Sequence, residues 1–104
     1  MATKEDTRSH DNADVVISMT NLIAPLSSDQ IEKLTIEAIH EHRAALARAE
    51  AAYESWQTAE AAEADTAADL LANYTRLMLA AHAQQLVLAT LIDRLGFIPR
   101  VLPS

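Results

Sequence analysis

A chain of 104 residues has room for one domain and leaves much of its apolar surface uncovered unless it associates. Its formal charge of -7, from 15 Asp and Glu against 8 Lys and Arg, repels a phosphate backbone and argues against direct nucleic-acid binding. The absence of Cys rules out disulfides and thiolate metal sites, and no stretch resembles a secretion signal or approaches the ~18 apolar residues of a membrane span, so a cytoplasmic protein is expected.

The composition favours helices, since 50% of the residues are hydrophobic, Ala and Leu dominate, and there is one Gly. Residues 1–14 are polar and charged, which predicts a mobile tail because burial cannot offset the entropy of ordering it. Residues 15–25 are apolar enough to pack, but their pattern does not separate helix from extended arm. The remainder, residues 15–104, reads as a single domain.

A helix start follows at Ser27, whose side chain can cap the Gln30 amide while Gln30 reaches back, with Leu26 and Ile31 as a hydrophobic staple. From about 28 to 57 the spacing alternates four and three. It places Thr35, Ile39, His42, Leu46, Ala49, Tyr53 and Trp56 on one stripe, broadened by Ile31, Ala38, Ala45 and Ala52. Large apolar residues then vanish, which puts the turn at about 58–65, although that stretch has neither Gly nor Pro. Thr66 with Asp69 offers a second cap for a helix over about 66–95. Its stripe is Leu70, Tyr74, Leu77, Ala81, Gln84, Leu88, Leu91 and Leu95, widened by Leu71, Met78, Gln85 and Ile92. Gly96 and Pro99 terminate it, with Phe97 able to fold back on Ile92.

Two helices of about 30 residues, roughly 45 Å each, joined by a short linker form an antiparallel hairpin. Leu79, Leu86 and Val87 lie off the second stripe and need another surface, most simply a second copy, so the expected fold is all-α: a long helical hairpin dimerising into a four-helix bundle. The core set for hairpin and dimer is Ile39, His42, Leu46, Ala49, Tyr53, Trp56, Leu70, Tyr74, Leu77, Met78, Leu88, Leu91, Ile92 and Leu95.

Catalytic and metal chemistry find no support, and no cofactor is implied. His40 and His42 are two apart on a helix and point in different directions, no Ser, His and acid spacing suggests a nucleophile, and the rows of Glu read as a solvated helix face. Tyr53 and Trp56 read as an end-plug of the bundle ahead of contact anchors. The tail from Phe97 to Pro103 is the most informative feature. It is apolar, follows a terminated helix, and includes prolines that stiffen it, so it reads equally as a strap across the bundle and as a docking segment.

Three segments resemble the TraM family: Thr35-Ile36-Glu37-Ala38-Ile39-His40-Glu41-His42-Arg43, His82-Ala83-Gln84, and Thr90-Leu91-Ile92-Asp93-Arg94-Leu95-Gly96-Phe97-Ile98-Pro99-Arg100-Val101. The resemblance implies a small antiactivator associated with conjugative plasmids. Such a protein binds TraR, a LuxR-type quorum-sensing activator, prevents it from holding DNA, and so represses transfer genes. It also implies a dimeric helical hairpin and directs attention to Phe97, Ile98, Pro99, Arg100 and Val101, then to His40 and Arg43, as partner contacts. Two other classes compete with this reading: a secreted hairpin of the WXG type, for which Trp56 lacks the following Gly, and an all-helical enzyme of the chorismate mutase type, for which the cations form no cluster.

Overall fold

The computed structural model describes the backbone of residues 4–102 and the side chains of residues 13–102. Its helices are α1 (Lys4–Ile23), α2 (Ser28–Ala61) and α3 (Ala67–Leu95), with no strand among the described residues. Pro103 lies outside them, as do residues 1–3 of the expected N-terminal tail. From Lys4 onward the backbone is helical, so residues 15–23 form a helix rather than an extended arm. A physical reason is that this stretch contains no Gly or Pro before Pro25, while Val16, Met19 and Ile23 supply half-buried positions along one side.

The start of α2 is the capping box read from the sequence. Gln30 N–H donates to Ser27 Oγ at 3.2 Å and Ser27 N–H donates to Gln30 Oε1 at 3.0 Å. Leu26 is half-buried and Ile31 is 2% exposed. The other end differs from expectation, because α2 runs on to Ala61 and the turn is confined to residues 62–66. Here Glu63 takes the left-handed conformation, φ 53, and two bonds close the helix: Glu63 N–H to the Glu60 carbonyl and Ala64 N–H to the Ala59 carbonyl. This is a Schellman motif with Glu where Gly is usual, and an L side chain there costs roughly 1–2 kcal/mol. Glu63→Gly is therefore expected to stabilise the protein by about 1 kcal/mol, measured as an upward shift of the thermal midpoint.

The expected Thr66 cap is not made. Thr66 already has helical angles, φ -80 and ψ -8, so its hydroxyl is not placed to bond the first-turn amides, and no side-chain cap bond is present. At the far end Gly96, φ 91, ends α3 and its N–H donates to the Ile92 carbonyl at 2.8 Å. Gly96 thus does what its place before Phe97 and Pro99 predicts.

Helices α2 and α3 pack along their whole length as an antiparallel hairpin, and α1 touches α3. The buried line of α2 is Ile31, Thr35, Ala45, Ala49, Ala52 and Ala59, with half-buried Ala38, His42 and Trp56 completing an alternation of four and three. This line shares Thr35, His42, Ala49 and Trp56 with the expected stripe and otherwise follows its broadening positions Ile31, Ala38, Ala45 and Ala52, with Ile39 buried beside it. Ala49 and Ala81 are each 1% exposed, so methyl groups fill the middle of the seam and the two backbones approach closely, while Leu46 and Tyr53 stand at its rim, 43% and 41% exposed. Thr35, fully buried, satisfies its hydroxyl by donating to the Ile31 carbonyl at 2.7 Å. Replacing Ala81, 1% exposed, by Leu forces extra methylenes into the packed seam, and the expected cost is about 1–3 kcal/mol, read from denaturant unfolding.

Candidate functional site

The tail after α3 is where buried and exposed side chains are most sharply divided. Pro99 is buried and Val101 half-buried, whereas Phe97, Ile98 and Leu102 are 52%, 72% and 79% exposed. Arg43, on α2, donates from Nη1 to the Leu102 carbonyl at 3.3 Å, so the tail turns back along α2 instead of continuing away from α3. The tail is thus a strap and also a presenting segment: its backbone is held at Pro99 and beside Arg43, and its large apolar side chains face outward. Phe97, which the sequence allows to fold back on Ile92, leaves about half of its surface uncovered at 52% exposure. An exposed apolar group on a backbone already fixed by a ring and a hydrogen bond loses little entropy when a partner covers it.

Of the other residues read as partner contacts, Arg100 is exposed, His40 is half-buried and Arg43 is exposed with its guanidinium engaged by the tail. Arg43, Arg100 and Arg94, in the last turn of α3, place cations around the tail of a chain that is acidic as a whole. Leu102 belongs to the tail read from sequence as strap or docking segment but not to the named partner contacts, and it is 79% exposed. The available signal was that it continues the apolar run, while the bond that positions it comes from a residue far away in sequence.

Along the hairpin two further apolar surfaces flank the seam. Leu46, Ala49, Glu50, Tyr53, Tyr74 and Met78 line an open groove of about 260 Å³. On the opposite side Leu34, Ala38 and Glu41 of α2 meet Val87 and Leu91 of α3, with Ile23 of α1 at the edge. Three of the four aromatic residues gather toward the turn: Tyr53 stands edge-on to Trp56 and Tyr74 at 5.7 and 5.3 Å, and Trp56 and Tyr74 are nearly parallel at 6.3 Å. Trp56 lies inside α2, short of the turn at 62–66.

Of the remaining core set, Ile39 and Leu91 are buried at 9% and 6% exposure, and Leu70, Leu77, Leu88, Ile92 and Leu95 are half-buried. His42 and Gln84 are half-buried on the seam, yet His42 Nδ1 and Gln84 Oε1 are themselves buried without a hydrogen-bond partner. The antiparallel register that sets Tyr53 against Tyr74 brings His42, about three turns further on, to the level of Gln84. Among the described residues no group of three or more His, Asp and Glu could hold a metal ion, and no helix is long and apolar enough to cross a membrane.

The family model of the prokaryotic transcriptional repressor TraM matches residues 1–100. The chain belongs to the TraM family. The match spans α1, both hairpin helices and the tail through Arg100, so the strap is part of what defines a TraM-family member here. Comparison with curated proteins and with solved structures gives no match.

Proposed function

We propose that the protein is a cytoplasmic antiactivator that binds a TraR-like LuxR-type quorum-sensing activator, blocks its hold on DNA, and thereby represses conjugative transfer genes. The observation that carries this reading is the match to the TraM repressor family over residues 1–100, which includes the tail that presents Ile98. The net charge of -7 supports action through a protein rather than through DNA itself.

The mechanism is linkage. An inhibitor that binds only those arrangements of the activator that cannot grip DNA lowers DNA affinity by the same factor by which DNA lowers inhibitor affinity. A hundredfold suppression requires a differential of about 2.7 kcal/mol, within reach of a few well-placed anchors. Phe97, Ile98, Pro99, Arg100 and Val101, with His40 and Arg43 behind them, form the contact segment. The working unit is a homodimer, because the hairpin alone leaves Leu79 at 68% and Val87 at 43% exposure. No direct nucleic-acid or membrane contact and no cofactor enter this reading. The test mixes purified protein with ligand-loaded activator of the TraR type and follows co-elution with light scattering. A stable complex is expected, and two separate peaks at micromolar concentration overturn the proposal.

A further inference from the structure

We propose that α1 is an exchange arm, which seats on α3 of a second copy of this chain rather than on its own hairpin alone. The inference rests on the dimeric reading above. Helix α1 has 20 residues, about 30 Å of helix, and the molecule measures 52 × 49 × 16 Å, so α1 leaves the hairpin sideways and the whole forms a thin plate. Where α1 meets α3, the contact is incomplete: Met19, Leu22 and Ile23 face Val87, Thr90 and Leu91 across an open groove of about 260 Å³. Leu22 on its wall is 77% exposed. Further along α1, Val15 and Ile17 remain 47% and 58% exposed. Most of the stability of a helix in a protein comes from packing its apolar face, and that of α1 is packed only in part.

The second copy is the occupant that charge selects. Between Asp69 and Asp93, α3 carries Arg76 as its one Asp, Glu, Lys or Arg, while α1 and α2 hold most of the charges of a chain at -7. Two chains each at -7 repel one another, and that repulsion is least along α3, where Leu79 is 68% and Val87 43% exposed. The two unfilled needs are complementary within one sequence: an arm with apolar residues beyond its groove, and an uncharged apolar strip beyond its arm. A two-fold axis satisfies both at once, because each α1 covers the other copy's α3.

The chain has no Cys, so Ile17→Cys creates a unique attachment point on the full-length protein. That variant, labelled with a benzophenone maleimide, is mixed in urea with unmodified ¹⁵N-labelled chain, refolded with it and irradiated, and the adducts are mapped by mass spectrometry. The expected result is adducts to ¹⁵N-labelled peptides of α3, in a sample that light scattering shows to be dimeric. A dimer whose adducts stay within one chain, or fall outside α3, overturns the arm exchange and leaves the dimeric reading standing, whereas a monomer at micromolar concentration removes both. As a second measurement, Leu79→Asp at this exposed position is expected to raise the dimer dissociation constant at least tenfold with helical content retained. An unchanged constant overturns the proposal.

Discussion

Replacing Ile98 by Asp is expected to weaken the complex with a TraR-type activator at least thirtyfold while leaving the fold intact. The side chain is 72% exposed, so the substitution removes little intramolecular packing, and the stability change should stay within about 0.5 kcal/mol. At the interface the same change places a charge where an apolar anchor is covered. Anchors of this kind are worth about 2 kcal/mol or more, which is a factor of about 30 in affinity. Isothermal titration against ligand-loaded activator, together with thermal unfolding of the free variant, separates the two effects. Wild-type affinity in a folded variant removes the tail from the contact surface.

The double variant His42→Leu, Gln84→Leu is expected to be more stable than the parent chain by about 2–4 kcal/mol. Both positions lie on the seam at the same level, and each now buries a polar atom without a partner. An unsatisfied buried donor or acceptor costs about 1–3 kcal/mol, and replacing both members by apolar groups removes that cost while adding apolar contact. Either single substitution leaves the other residue's polar group in place and should gain less. The polar layer has a compensating use: next to the small Ala45 and Ala49, a layer that tolerates only one partner holds α2 and α3 in a single register. Urea unfolding of the three variants tests the stability order, and amide exchange near residue 42 tests whether register is loosened.

The parts of the fold that depend on local chemistry were legible. Ser27 with Gln30 announces a helix start, and Gly96 before Phe97 and Pro99 announces a stop, because each satisfies backbone groups through residues adjacent in sequence. The α3 stripe from Leu70 to Leu95 could be read because Leu or Tyr recurs along most of it, although its most buried member is Ala81. On α2 the expected stripe held Ala49 and was broadened by Ala45 and Ala52, but it also took in Leu46 and Tyr53, which stand at the rim, and left out the buried Ala59. Hydrophobic weight alone does not report how small side chains let helices approach. The turn at 62–66 overlaps the expected 58–65 but starts four residues later, because the left-handed Glu63 closes α2 where no Gly marks the position. The tail's importance was visible from its composition, but the bond from Arg43 to the Leu102 carbonyl joins residues distant in the chain and leaves no periodic trace.

In the proposed function this hairpin silences transcription by separating an activator from its DNA through protein contact. Titrating the purified protein into a preformed complex of ligand-loaded TraR-type activator and labelled operator DNA, followed by fluorescence anisotropy, reads that separation itself. Anisotropy is expected to fall to the value of free DNA as protein is added, with Ile98→Asp requiring at least about thirtyfold more. DNA that stays bound at saturating protein, or anisotropy that rises because the protein itself joins the DNA, would contradict it.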